Sequence, residues 1–159
     1  MRRRRTCGFS IIELMVGLAV AGILLAVAVP SIRASAARAR LEGAANELAI
    51  DLHYIRSEAV RHRAPASLAV DSTGHAYSLA YADPLNGNTI TIKTVTLPRN
   101  VTVTPNITLT FDALRGMGSA FTLDVLSVDA TSSLQVSTNA TGRVQVCSPN
   151  RNFSGYPGC

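Results

Sequence analysis

The stretch IIELMVGLAVAGILLAVAV, residues 11–29, is 19 residues long and carries a single charge, Glu13. As a helix rising about 1.5 Å per residue it reaches roughly 28 Å, the depth of a bilayer core. A segment of that length and apolarity must lie in lipid or among other apolar helices. Arg2, Arg3, Arg4 and Arg5 stand just before it. A basic cluster ahead of an apolar helix stays in the cytoplasm, so the remainder of the chain is expected on the far side of the membrane. Glu13 is the anomaly, because a carboxylate at mid-bilayer depth costs about 2.5–3.5 kcal/mol on insertion scales. Some cation has to offset it.

A cleaved secretory signal peptide is the rival reading, with Ala26-Val27-Ala28 as its small-residue site. Its apolar core is typically shorter, roughly 7–15 residues, and an acid near the start of that core argues against it. Cutting the chain between Gly8 and Phe9 supplies the missing cation. Phe9 then carries a free amine, and Glu13 becomes the fifth residue. In a packed array of such helices, Glu13 of one subunit can pair with the Phe9 amine of its neighbour. A buried pair of this kind stabilises little but can specify register.

The run RRRRTCG, then FSIIELMVGLAVAGILLAVAVP, resembles the class III signal of type IV pilins and pseudopilins. The resemblance implies cleavage after Gly8 by a prepilin peptidase on the cytoplasmic face, and N-methylation of Phe9. It implies a single-pass inner-membrane protein with a periplasmic C-terminal domain, later incorporated into a pilus or pseudopilus with other pilins as partners. Gly17 and Gly22 permit close helix approach or are simple apolar filler. Pro30 lacks the donor for an intrahelical bond and is expected to kink the helix near the membrane exit, or to mark the lipid boundary.

Beyond Pro30 the helix is expected to resume. Leu41, Ala45, Leu48, Leu52, Ile55 and Ala59 recur every three or four residues, an apolar stripe on one helical face. Arg38, Arg40, Glu42, Glu47, Asp51, Arg56 and Glu58 fall largely off that stripe and read as a solvated face. Pro65 ends the helix. The period then changes to two. SLAV, HAYSLAY, TITIKTVTL, VTV, ITLTF, AFTLDVL, SLQVST and RVQVC read as short strands rich in Thr and Val, separated by Gly, Pro, Asn and Asp turn signals. One helix followed only by strands predicts an α+β fold, a long N-terminal helix packed on antiparallel sheet. The expected divisions are a leader at 1–8, the membrane half of the helix at 9–30, its amphipathic half at 31–64, a sheet domain at 65–147 and a C-terminal tail at 148–159.

Charge and cysteines add constraints. The formal net charge is +5, but with Arg2–Arg5 set aside, 11 of the 15 basic residues face ten acidic ones. The body of the chain is therefore nearly neutral, and the basic balance speaks for orientation more than for nucleic acid. Cys147 and Cys159 can pair in an extracytoplasmic compartment, closing a loop at a gain of about 3 kcal/mol in the chain-entropy account, or remain free thiols. Two distant cysteines without clustered histidines make no zinc site. His53, His62 and His75 read as surface histidines. No hydrolase, metalloprotease, phosphate-loop or dinucleotide motif occurs, so neither catalysis nor a cofactor is expected.

ELAIDLHYIRSEAVRHRAPASLAV (Glu47–Val70) followed by DSTGHAYSLAY is similar to the GspH/FimT family of minor pilins and pseudopilins. FDALRGMGSAFTL and TNATGRVQVC look similar to that family's C-terminal sheet. The resemblance implies a minor pilin that helps initiate a type IV pilus, with a type II secretion pseudopilin as the alternative. Some FimT-like members bind DNA during natural transformation through a G-R-x-R motif. The matching positions here are Gly142, Arg143, Val144 and Gln145, so the second arginine is missing. Arg151 in the tail is a candidate replacement. Arg143 and Arg151 would meet phosphates, Asn150, Asn152 and Gln145 would add hydrogen bonds, and Tyr156 or Phe153 would stack on bases. The bland alternative is a solvated strand-edge arginine beside a pinned loop.

Overall fold

The computed structural model describes residues 10–129, 133–139, 141–151 and 153–159, with the side chain of Val27 set aside. Helix α1 runs over Ile11–His62 and continues past Pro30. Its first turn hangs on the Ser10 carbonyl, which accepts from the N–H groups of Glu13 and Leu14. Eight strands follow: β1 Ala66–Val70, β2 Ala76–Ala82, β3 Thr89–Thr96, β4 Val101–Thr104, β5 Thr108–Phe111, β6 Phe121–Ser127, β7 Leu134–Thr138 and β8 Val144–Cys147. Each corresponds to one of the eight alternating segments of the sequence, and the α+β expectation holds.

The chain divides into two compact units between Ala36 and Ala37. In the first, α1 presents apolar side chains outward, among them Ile11, Leu14, Leu18, Ile23 and Leu25. This part of the helix is long and apolar enough to cross a membrane.

In the second unit the strands form two four-stranded sheets, ordered β3-β2-β1-β5 and β4-β6-β7-β8. All pairings are antiparallel, with β1 central between β2 and β5 and β6 between β4 and β7. The helical stripe of Leu41, Ala45, Leu48, Leu52, Ile55 and Ala59 is fully buried, together with Leu68, Tyr77, Leu79, Phe111, Leu123 and Leu134 from the sheets. This largely aliphatic core, with Tyr77 and Phe111 as its bulkiest members, follows from the scarcity of aromatics: burial of Leu, Ile and Val provides most of the driving force, at roughly 1.5–3 kcal/mol per side chain. The two sheets are tied where the β1–β2 turn meets β4. Gly74, at φ +70°, accepts a 2.8 Å bond on its carbonyl from the Val103 N–H.

Two expectations for the helix need correction. α1 ends at His62, before Pro65 acts. Arg63 takes φ +50° and donates to the Val60 carbonyl, and the Ala64 N–H reaches back to Ala59. This is a left-handed helix stop without the usual glycine. Second, the charged residues off the stripe are not one solvated face, because Asp51 and Glu58 are buried. The sheets cover a wider arc of α1 than one stripe. Asp51 accepts from the Lys93 ammonium of β3 at 3.0 and 2.9 Å and from the Tyr77 hydroxyl of β2 at 2.7 Å. Glu58 is held locally by Arg61 at 3.2 Å and His62 at 3.0 Å. His62 is also no plain surface histidine, since its ring stacks on Tyr81 with centroids 4.0 Å apart.

Candidate functional site

Three features can carry function, and they lie at different places along the chain. The first is the apolar part of α1. Glu13 is the only charged residue between Ile11 and Val29, and it is exposed. Gly17 and Gly22 have open space where a Cβ would stand. A glycine inside a helix costs about 1 kcal/mol relative to alanine. Gly17 and Gly22, five residues apart and so about 140° around the helix from each other, each leave a shallow notch into which another helix can settle. Gly8 and Phe9, the residues expected at the cleavage and methylation site, lie outside the described residues.

The second feature is the C-terminal tail. Cys147 and Cys159 form a disulfide, with Cα atoms 5.1 Å apart. The loop it closes folds back on α1. The Phe153 ring is buried, lies under the Arg38 guanidinium at 5.6 Å, and meets Tyr156 edge to face. The Tyr156 hydroxyl donates to Glu42 Oε1 at 3.0 Å and accepts from Asn46 Nδ2 at 2.9 Å. Partial burial, with a smaller effect from the Glu42 carboxylate, raises the Tyr156 phenol above its ordinary value. The tail's aromatic rings are thus engaged with the helix, and Phe153 is not available to stack on a base.

The third feature is a corner where the loop after β5 and the turn after β7 converge on one helical arginine. Arg56 Nη1 donates to the Gly142 carbonyl at 3.0 Å. Gly116, at φ +59°, and Gly142, at φ +77°, both abut the Arg56 side chain: a Cβ at Gly116 would lie 2.8 Å from Arg56 Cγ, and one at Gly142 would lie 3.0 Å from its Cζ. That Gly142 position is also 3.1 Å from the Gly116 carbonyl oxygen, so the two loops touch. Each loop is built by its own acceptor side chain. Asp112 takes the N–H groups of Leu114 and Arg115 on its two oxygens, and Asn139 Oδ1 takes the Arg143 N–H and the Thr141 hydroxyl. The flanking Arg115 and Arg143 side chains are exposed.

Of the residues proposed for DNA contact, Gln145 is exposed on β8, an edge strand of its sheet, and Arg143 is exposed in the turn immediately before it. Arg151 and Asn150 are exposed in the tail, beyond the other end of β8. At about 3.3 Å per residue, the strand separates Arg143 from the tail by roughly 16 Å. Arg151 therefore does not fill the place of the missing second arginine, and its side chain packs beside Gly158. Asn152 lies outside the described residues. What sequence reasoning missed is that Arg56 packs against Gly142, next to Arg143, and against Gly116, next to Arg115. Gly116 and Gly142 were the only local signals, since both sit at positive φ in turns.

Residues 44–142 match the family described as Type II transport protein GspH, and residues 3–29 match the prokaryotic N-terminal methylation motif. No curated protein matches the chain in sequence. Among solved structures, the minor pseudopilin EpsH from the Type 2 Secretion System of Vibrio cholerae is similar at 14% identity and TM-score 0.59, covering 70% of this chain and 99% of that one. The type IV minor pilin FimU of Pseudomonas aeruginosa PAO1 is similar at 24% identity and TM-score 0.56, covering 73% of this chain and 97% of that one. At these identities the likeness is one of fold.

Proposed function

Because this chain belongs to the GspH family and carries the prokaryotic N-terminal methylation motif, we propose that it is a minor subunit of a type IV pilus, a structural component with no catalytic role. Its apolar helix first holds it in the inner membrane with the sheet domain in the periplasm. After a prepilin peptidase cuts between Gly8 and Phe9, the same helix enters a bundle of like helices. The observation that carries this reading is the outward-facing apolar stretch from Ile11 to Val29 with Glu13 as its single charge. That stretch has no use in an isolated soluble domain, and its carboxylate has no use in lipid without a cation. The Phe9 amine of a neighbouring subunit supplies that cation.

Mass spectrometry of the mature chain tests the reading directly. The expected N-terminus is Phe9, carrying one added methyl group; a mature chain starting elsewhere removes the proposal. Glu13→Ala is expected to leave processing intact and to abolish recovery of the subunit in sheared fibres. The second reading, a pseudopilin of a type II secretion system, is supported by the GspH match and the likeness to EpsH. Deletion of the gene separates the two: loss of surface pili favours the first, and loss of exported proteins from the medium favours the second.

DNA capture is the narrower form of the pilus reading. Its support is the exposed pair of Arg143, in the turn before the edge strand β8, and Gln145, on that strand. One or two arginines give weak, salt-sensitive attachment. Mobility-shift titration of the full chain in detergent at several salt concentrations tests it, and absence of retardation at low salt removes it.

A further inference from the structure

We infer that the corner built by Arg56, Arg115 and Arg143 is a contact surface for the next fibre subunit, which meets it with a carboxylate set in an apolar patch. The inference rests on the fibre-subunit reading above and deepens it by placing a second contact, far along the chain from the apolar helix.

The chemistry starts with charge. Arg56 is half-buried, yet its one hydrogen bond among the described residues goes to a backbone carbonyl, that of Gly142. No ion pair involving Arg56, Arg115 or Arg143 occurs among the described residues. Asp112, the acid nearest in sequence to Arg115, has both oxygens committed to backbone N–H groups of its own turn. A half-buried guanidinium without a carboxylate partner among the described residues is electrostatically incomplete, and two more exposed arginines, Arg115 and Arg143, adjoin the two glycines packed against it. Contact between Gly116 and Gly142 brings Arg115 and Arg143, one residue away on each loop, within side-chain reach of a common ligand. Arginine presents a planar fork of donors that matches a carboxylate in two-bond fashion.

Apolar side chains around the corner decide which carrier of the anion fits. Leu114 is 82% exposed, Val60 44% and Met117 38%. Val60 Cγ2 lies 3.2 Å from the position of a Gly116 Cβ, and Leu114 and Met117 flank Gly116 in the same loop. Isolated exposed leucines need no explanation, but three aliphatic side chains beside three arginines have the makeup of a protein interface, where arginine and methionine are enriched. Single-stranded nucleic acid is recognised by aromatic stacking platforms, and none of these residues is aromatic. A protein surface with an acid ringed by apolar groups complements the corner in both respects.

The test places a photo-crosslinking residue at Leu114 of the full-length chain in cells that assemble the fibre. The expected product is one adduct with a second processed fibre subunit. Its yield should fall by about tenfold or more in the double variant Arg115→Glu/Arg143→Glu, as loss of an interfacial charge contact requires. Changing the contacted acid of that partner to arginine should restore the adduct in the charge-reversed background. Leu114→Asp, made separately, should reduce recovery in sheared fibres. Three results overturn the inference: an adduct insensitive to charge reversal, an adduct with DNA, or no adduct from a chain that is processed and present in fibres. The double variant and Leu114→Asp should both be cut before Phe9 like the parent. If the parent itself is not cut there, the fibre-subunit reading falls first and takes this inference with it.

Discussion

Replacing Asp51 by alanine should cost the sheet domain about 1–4 kcal/mol, and the structure shows where that figure originates. Asp51 is buried and accepts three bonds: two from Lys93, at 3.0 and 2.9 Å, and one from the Tyr77 hydroxyl at 2.7 Å. Truncation to alanine leaves the Tyr77 hydroxyl buried without that acceptor, which costs about 1–3 kcal/mol. Lys93 loses less. Its side chain is 39% exposed and keeps Glu47 at 3.2 Å, so the lost pair resembles a surface salt bridge worth at most about 1 kcal/mol. Asp51→Asn retains an acceptor for Tyr77 and should cost only about 1 kcal/mol. The decisive comparison is a double-mutant cycle with Tyr77→Phe, which removes the hydroxyl that Asp51→Ala strands. The double variant should be more stable than the sum of the single losses by about 1–2 kcal/mol, the coupling expected for residues in contact. Urea unfolding of the full chain in detergent, followed by near-ultraviolet tyrosine dichroism, supplies the free energies. Strict additivity, or an alanine variant no weaker than the asparagine variant, would refute the assignment of most of the loss to the orphaned hydroxyl.

The same cluster sets an alkaline limit. The Asp51 hydrogen bond raises the Lys93 ammonium above its ordinary 10.5, and burial, reinforced by Asp51, raises the Tyr77 phenol above its ordinary 10.0. Both groups hold their protons more tightly folded than unfolded, so their contribution to stability should be constant below about pH 10 and decline as pH rises beyond it. Unfolding midpoints measured from pH 8 upward check this, and a midpoint that rises above pH 10 contradicts it. Gly74→Ala should destabilise by about 2 kcal/mol or more, because φ is +70° and the new methyl would sit 2.6 Å from the Val103 carbonyl oxygen; a thermal melt reads the loss. Replacing Cys147 and Cys159 by serine should cost about 3 kcal/mol and free the tail from α1. Faster hydrogen exchange at Leu41–Leu48 is the accompanying signature, and unchanged exchange there would show that Phe153 and Tyr156 hold the tail unaided.

Much of this molecule is local in origin, and its sequence determines that part alone. A run of nineteen residues, apolar but for one acid, reads as a helix whose surroundings are lipid or other helices, since no water remains there to satisfy its backbone. The three-and-four spacing from Leu41 to Ala59 marks the buried stripe, and the alternation after Pro65 marks all eight strands, because side-chain direction in each element repeats with a fixed period. Cys147 and Cys159 were legible as a pair that could close, though not as a clasp on α1. The tertiary structure alone decided the rest. Asp51 looked solvated because its partners, Tyr77 and Lys93, lie 26 and 42 residues downstream, and helical spacing carries no record of what a sheet will lay across the helix. Arg143 seemed to belong with Arg151, eight positions on, yet a four-residue strand runs between them and keeps them at opposite ends. It adjoins Gly142 instead, and Arg56 is 86 residues from Gly142 in the chain and one hydrogen bond away in space. Periodicity depends on a residue's neighbours in sequence, whereas charge complementarity depends on its neighbours in space, and only packing α1 against both sheets brings those together.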